Sequence, residues 1–412
     1  MTDPTRDAAF DLLSAVLDRR RSLEDALDGL PEMDARDRAA GHRLAAAVLR
    51  RAGTLDAVME PFLKKAPPDK VRHILRIGAA GLLLLDTPAH AAVATAVALA
   101  RSRGLVPFAG LVNAVLRRVA EAGPDALATL DSPRLDTPPW LWAAWGRDAR
   151  AIAEAHQHAA ALDLTLAAGA TPPPGGTLLP TGSWRYADPG RVAEMDGFAS
   201  GGFWVQDAAA ALPAALLGVR AGETVADLCA APGGKTAQLI AAGARVFAVD
   251  RDTSRIARLR ENLGRLHLDA VIVQADAAEW QPPAPLDAVL LDVPCSATGT
   301  IRRHPDVAHL KRPGDVPALL AVQDRLLDAT CAMLRPGGRL VYAVCSLLPQ
   351  EGPERMQSAL ARLKLRPDPF TAAELAGLPE ARTAHGWLRT TPAMWPDRGG
   401  MDGFFAARAI RA

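Results

Sequence analysis

Five apolar runs in the C-terminal half of the chain end on residues able to do chemistry. The first, ETVADLCAAPGGKT, leads into Cys229, Ala230, Ala231, Pro232, Gly233, Gly234 and Lys235. Glycines between a strand and a helix let a ligand approach the backbone, and a helix N-terminus favours a negative group. The dinucleotide pattern GxGxxG is absent, and so is the phosphate loop GxxxxGK followed by Ser or Thr. NAD and ATP are therefore disfavoured, and a smaller adenosine cofactor fits better. The alternative is a purely structural turn. The second run ends at Asp250, placed to accept both hydroxyls of a ribose. The third ends at Asp276, where an acid can accept from an adenine amino group. Each acid taken alone is more often a cap or turn residue, and Asp252 reads as a helix N-cap. Together, at successive strand ends after a glycine turn, they point to S-adenosylmethionine.

The fourth run ends DVPCSATGT, with Asp292, Pro294, Cys295 and Gly299, and the fifth ends YAVCS, with Cys345 and Ser346. Two cysteines thus cap two strands. If the strands are neighbours, their ends lie about 5 Å apart. Core cysteines fall more naturally in mid-strand, so Cys295 and Cys345 are expected to be reactive thiols. Cys331, within DATCAMLRPGG, reads as core, and Cys229 is expected to line the cofactor pocket through its backbone. No cysteines form a CxxC pair and no His lies at zinc-finger spacing, so neither a metal site nor a disulfide framework is expected.

These residues need a scaffold. From about residue 196, short buried runs alternate with helical stretches, which implies a parallel α/β sheet with helices on both faces. Ligands in such sheets bind at the carboxyl ends of the strands. Residues 1 to about 130 instead carry apolar positions at helical spacing, such as Phe10, Leu13, Val16 and Leu17, and read as a helical bundle. Basic residues recur in it, including Lys64–Lys65, Arg72 and Arg117–Arg118, either as an RNA-binding face or as solvated helix faces. Between the two, PPWLWAAWG predicts an aromatic-anchored helix, ALDLTLAAG a strand and TPPPGGT a loop. The 412 residues are 49% hydrophobic and 23% charged with a net charge of +1, which excludes wholesale disorder and announces no partner by bulk charge. The longest strongly apolar run, Ile77 to Leu85, is far short of the ~20 residues of a membrane span. MTDPTRDAAF lacks an apolar stretch, so no secretory signal, no membrane association and a cytoplasmic location are expected.

DLCAAPGGKT, LLDVPCSATG, YAVCS and the terminal MDGFFAARAIR together resemble the NOL/NOP/Sun family of RNA cytosine-5 methyltransferases. FASGGFWVQDAAA resembles that family's entry into its catalytic domain, and DTPAHAAVATAVALA with FAGLVNAVLRR resembles a NusB-like RNA-binding domain. The combination points to the bacterial RsmB-like branch, which acts on small-subunit ribosomal RNA. The resemblance implies a NusB-like all-helical domain at 1–132, a small αβ connector at 133–195 and a Rossmann-like class I methyltransferase domain at 196–412. That last domain carries a mainly parallel seven-stranded sheet. It further implies S-adenosylmethionine held by Cys229 to Lys235, Asp250, Asp276 and Asp292. Cys345 is the implied nucleophile toward carbon 6 of cytosine, Cys295 the group assisting release, and Asp292 a hydrogen-bonding partner of the cytosine edge. Lys235 positions Asp292 or the cofactor carboxylate, unless it is an ordinary first-turn residue. Val344 stands where the family usually has Thr. Arg302, Arg303 and His304, in TIRRHPDV, form either a phosphate-contacting loop beside the cleft or a solvated one. RNA is the expected partner, DNA is not, and a monomer is expected. Enzymes acting on DNA cytosine keep the nucleophile in the fourth-strand PC motif and need no fifth-strand cysteine. The remaining alternatives are another RNA such as tRNA, or a non-catalytic RNA-binding assembly factor on the same scaffold.

Overall fold

A computed structural model describes residues 3–188 and 190–412. The chain divides into two compact units, Met1–Ala159 with Ile301–Arg312, and Ala160–Thr300 with Pro313–Ala412. The division falls within the stretch 133–195 read as a connector. Its helices, Pro139–Trp145 and Ala149–Ala155 among them, go with the first unit, and its strands go with the second.

The described residues of the first unit form helices and loops. Its long helices are Pro4–Leu17, Ala35–Arg50, Asp69–Leu84, Ala89–Ser102 and Ala109–Ala122. Asp3 and Asp34 cap the first two of these, accepting from the backbone N–H of Arg6 and Arg36. Apolar residues at three- and four-residue spacing converge inward, and Leu12, Leu13, Leu55, Ile74, Leu75 and Leu116 are fully buried together. Each such side chain contributes about 1.5–3 kcal/mol relative to exposure. From Ile301 onward the TIRRHPDV segment groups with this helical unit. Arg302 is only 2% exposed, and Arg50 Nη2 donates to its carbonyl oxygen at 2.8 Å. Asp306 accepts from the backbone N–H of Leu23, and a His309 ring nitrogen lies 2.8 Å from the Leu49 carbonyl. Of the three residues proposed to meet phosphate, Arg303 is the exposed one.

Among the described residues, all strands lie in the second unit. A small sheet contains β1 (Leu162–Leu166), β2 (Thr177–Leu178), β3 (Trp184–Tyr186) and β4 (Phe203–Val205), in the order β2-β3-β1-β4. The large sheet contains β5 (Thr224–Leu228), β6 (Arg245–Asp250), β7 (Val271–Gln274), β8 (Leu286–Asp292), β9 (Leu334–Val344), β10 (Leu365–Pro367) and β12 (Phe405–Arg411), with the two-residue β11 (Leu388–Arg389) paired beside β12. Their order is β10-β12-β9-β8-β5-β6-β7. β7, β6, β5, β8 and β9 pair in parallel, and β12 runs antiparallel to β9. The seven-stranded, mainly parallel Rossmann-like sheet expected from sequence is thus present, with β11 as a short eighth strand. β5 and β8 are central and largely buried on both faces, as their burial patterns show, with Asp227 the buried acid within β5. Chain order reverses at β5, with β6 on one side and β8 on the other, which opens a crevice at the carboxyl ends of the strands. Among the described residues no helix is long and apolar enough to cross a membrane.

One close approach locks the segment after β8 against the chain entering β12. Gly403 N donates to Gly299 O at 2.8 Å, and a Cβ on Gly299 would lie 1.9 Å from Gly403 O. Gly299→Ala therefore forces backbone apart, and the expected loss is about 1–3 kcal/mol. Chemical denaturation followed by tryptophan fluorescence measures it, and an unshifted midpoint contradicts the packing described here.

Candidate active site

β5 delivers the chain into Cys229, whose φ of 63° turns it out of the strand, and then through Ala230 to Gly233 into the helix Gly234–Ala241. Gly233 has φ 104°, and a Cβ there would meet Leu259 Cδ1 at 2.5 Å, so the tight turn requires glycine. Asp250 closes β6 beneath this turn and is 3% exposed. Its Oδ2 accepts from Ala231 N and its Oδ1 from Asp252 N, each at 3.1 Å. A carboxylate offers about four acceptor positions, so capacity for two hydroxyls remains. Asp252 is the N-cap of the helix Thr253–Arg265, as expected, and accepts from Arg255 N at 2.9 Å. Asp276, two residues past β7, accepts from Ala278 N at 2.9 Å, and Arg325 Nη2 lies 3.6 Å from its other oxygen. The cap and turn roles that these acids adopt singly are therefore present alongside their shared placement at one sheet edge. The donor set suits S-adenosylmethionine: a buried carboxylate for a diol, a helix N-terminus for a carboxylate, and several acids for a cationic sulfonium.

Asp292 ends β8, and Lys235 Nζ lies 2.7 Å from its Oδ2. Burial alone would lower the Lys235 pKa, but Asp292, Asp227 and the Cys345 sulfur more than offset it and hold the ammonium above its ordinary value. Its other neighbour is the Phe404 ring, 5.4 Å from Nζ to the centroid. Lys235 is thus no ordinary solvated helix residue. Asp227, one turn of strand behind, is 1% exposed, and burial raises its carboxyl to about 7 despite the hydrogen bond from Thr236 Oγ1 at 2.6 Å. Burial also pushes the Cys229 thiol up to about 12, which makes it unreactive at neutral pH.

The strand-end cysteines meet. Cys295 Sγ and Cys345 Sγ are 3.4 Å apart. The contact with Cys345, and then burial, push the Cys295 thiol well above its ordinary value, so Cys295 keeps its proton. Cys331 lies elsewhere, buried in the apolar core under the sheet.

Sequence reasoning missed the polar group behind the two thiols. Glu351, 0% exposed, accepts from Ser296 N at 2.9 Å and from the Ser296 and Ser346 hydroxyls at 2.5 Å each. A buried Glu in SLLPQEGPE gives no sequence signal, since the surrounding Pro and Gly read as a surface turn. Apart from this site, the helical unit carries a groove of about 1190 Å³ that includes Phe62, Phe108, Lys64, Lys65 and Arg118 in its lining.

A Rossmann-like sheet, a glycine turn followed by strand-end acids, and no phosphate-loop glycine pattern define a class I methyltransferase. The family described as 16S rRNA methyltransferase RsmB/F matches residues 214–410, and the NusB family matches 3–121. The chain is 37% identical to the ribosomal RNA small subunit methyltransferase B of Pseudomonas putida, with 98% of each chain covered. It is 36% identical to the protein of the same name from Vibrio cholerae, covering 98% of this chain and 96% of that one. Among solved structures, PH0851 superposes with a TM-score of 0.76 over 99% of both chains at 21% identity, a likeness of fold. A methyltransferase homolog protein from Pyrococcus horikoshii superposes at TM-score 0.53 and 25% identity, over 65% of this chain and 92% of that one. The chain belongs to the RsmB/F family of methyltransferases, with S-adenosylmethionine as its cofactor.

Asp250→Ala is expected to weaken S-adenosylmethionine binding by about 1.5–3 kcal/mol, because a charged acceptor is lost. Isothermal calorimetry reads the change, and unaltered affinity removes Asp250 from the cofactor site.

Proposed function

We propose that the protein methylates carbon 5 of a cytosine in RNA, most directly the small-subunit ribosomal RNA named for its relatives, through a covalent bond between Cys345 and the base. The observation that carries this reading is the pair of thiols 3.4 Å apart at the ends of neighbouring strands. Carbon 5 of cytosine is too electron-poor to attack a methyl sulfonium unaided. Addition of the Cys345 thiolate to carbon 6 turns carbon 5 into an enamine-like nucleophile. Bound S-adenosylmethionine supplies the electrophilic methyl group. Asp292, oriented by Lys235 at 2.7 Å, meets the cytosine edge around N3 and N4 and stabilises the adduct. Solvent water takes the carbon-5 proton, the electron pair it leaves re-forms the double bond between carbons 5 and 6, and the bond to Cys345 Sγ breaks to return the thiolate. Cys295, which keeps its proton in the resting site, serves this release step. Val344, in place of the family's usual Thr, removes a hydroxyl beside the nucleophile and leaves its thiol. The base must leave any stack to reach a site at the sheet edge, so single-stranded or flipped RNA is the substrate.

Residues 1–132 supply RNA affinity in this reading, 133–195 connect, and 196–412 carry out methyl transfer in the cytoplasm. The groove of the helical unit suits single-stranded RNA. Phe62 and Phe108 offer stacking faces, and Lys64, Lys65 and Arg118 offer phosphate contacts.

Two experiments test the reading. Cys345→Ala should yield neither methylated product nor a covalent RNA complex. Cys295→Ala should attack and methylate, then stall with enzyme bonded to RNA, seen as a slow band on a denaturing gel. A band with Cys345→Ala instead reverses the roles, and two active, untrapped variants refute the mechanism. Replacing Lys64, Lys65 and Arg118 by Glu should weaken RNA binding and flatten its dependence on log salt by about 2, at roughly 0.7 per phosphate contact. An unchanged salt slope removes the groove from the RNA surface.

A further inference from the structure

We infer that Glu351 is a positioning residue that sets the spacing of the two active-site thiols. The inference rests on reading Cys345 and Cys295 as the reacting pair. The ladder between β8 and β9 ends at Asp292 and Ala343, before either cysteine. Beyond that point the two segments are joined through the main chain by Val293 N donating to Ala343 O at 3.2 Å and Gly299 N donating to Cys345 O at 3.0 Å, and a carboxylate adds a second tie. Glu351 Oε1 accepts from Ser296 N at 2.9 Å and Gln323 Nε2 at 3.0 Å. Its Oε2 accepts from Ser296 Oγ and Ser346 Oγ, both at 2.5 Å.

The two serines follow Cys295 and Cys345 directly, so one rigid group holds the residue next to each of the two active-site sulfurs. Gln323 Nε2 also donates to Pro294 O at 3.1 Å, tying down the residue before Cys295. Tyr342 OH donates to the Glu351 carbonyl at 2.6 Å and anchors the clamp to β9. All four acceptor positions of the carboxylate are used, which is what makes a fully buried charge tolerable. Well-packed apolar side chains would stabilise such a place at least as well, so a buried, fully hydrogen-bonded carboxyl group beside two thiols points to geometry rather than stability.

Glu351→Ala and Glu351→Gln separate the possibilities. Gln keeps one oxygen for the obligate donors Ser296 N and Gln323 Nε2, while its amide faces two hydroxyls that can turn to accept. Phenylarsine oxide is the probe: its arsenic bonds both sulfurs and releases water, so its affinity reports thiol spacing without any methyl transfer. S-adenosylmethionine affinity is the control for folding. Glu351→Ala should lose arsenical affinity by about tenfold or more, with kcat reduced, RNA KM unchanged and cofactor binding intact. Glu351→Gln should restore most of both losses. Wild-type capture by Glu351→Ala overturns the inference. So does a Gln variant as poor as Ala, or a joint loss of cofactor binding in both variants. A wild-type enzyme that captures the arsenical but never bonds RNA refutes the catalytic reading and leaves the spacing claim standing.

Discussion

Asp292 of β8 pairs with Ala343 of β9 in a parallel ladder, and the proposed chemistry depends on that one pairing. Three residues beyond Asp292 comes Cys295, and two beyond Ala343 comes Cys345, so both chains emerge on the same sheet edge with their sulfurs in contact. A strand inserted between them would separate the thiols by roughly another 5 Å. A slip of one residue would send one side chain to the opposite face. The central position of β8, between β5 and β9, protects this register by burying both faces.

The same edge concentrates charge in a poorly solvated place. Asp227, Asp250 and Asp292 gather around the glycine turn with Lys235 among them, and burial, with smaller contributions from Asp292 and Asp250, raises Asp227 toward neutrality. Lys235 stays charged because three anionic or ionisable neighbours outweigh its burial. The thiols are differentiated by the same means. Cys229 is buried against acids and inert, and the contact with Cys345, together with burial, keeps the proton on Cys295. Such preset charges act where water is largely excluded, and they need little reorganisation when a substrate arrives.

Much of this was legible in the sequence because it follows from strand ends. A buried parallel strand must stop on a polar or small residue to leave the sheet, so Asp250, Asp292, Cys295 and Cys345 announce themselves by position. The glycine turn is equally visible, since Gly233 needs a conformation that side chains resist. What stayed hidden depends on contacts distant in sequence. Glu351 sits in a Pro- and Gly-flanked stretch that looks like a surface turn, and only the fold brings it behind Ser296 and Ser346. TIRRHPDV reads as a basic loop, yet its Arg302 is buried in the helical unit beside Arg50. Local pattern carries no information about a segment claimed by a different unit of the chain.

The central claim is methyl transfer to carbon 5 with loss of its hydrogen, and tritium measures it directly. Small-subunit ribosomal RNA carrying tritium at carbon 5 of cytosine, from cells lacking this enzyme, is incubated with the protein and S-adenosylmethionine. The account predicts one tritium released to water per methyl group incorporated, with all of the new methyl recovered as 5-methylcytidine. Methyl incorporation without tritium release, or a methyl group recovered on nitrogen, ribose or another base, contradicts it.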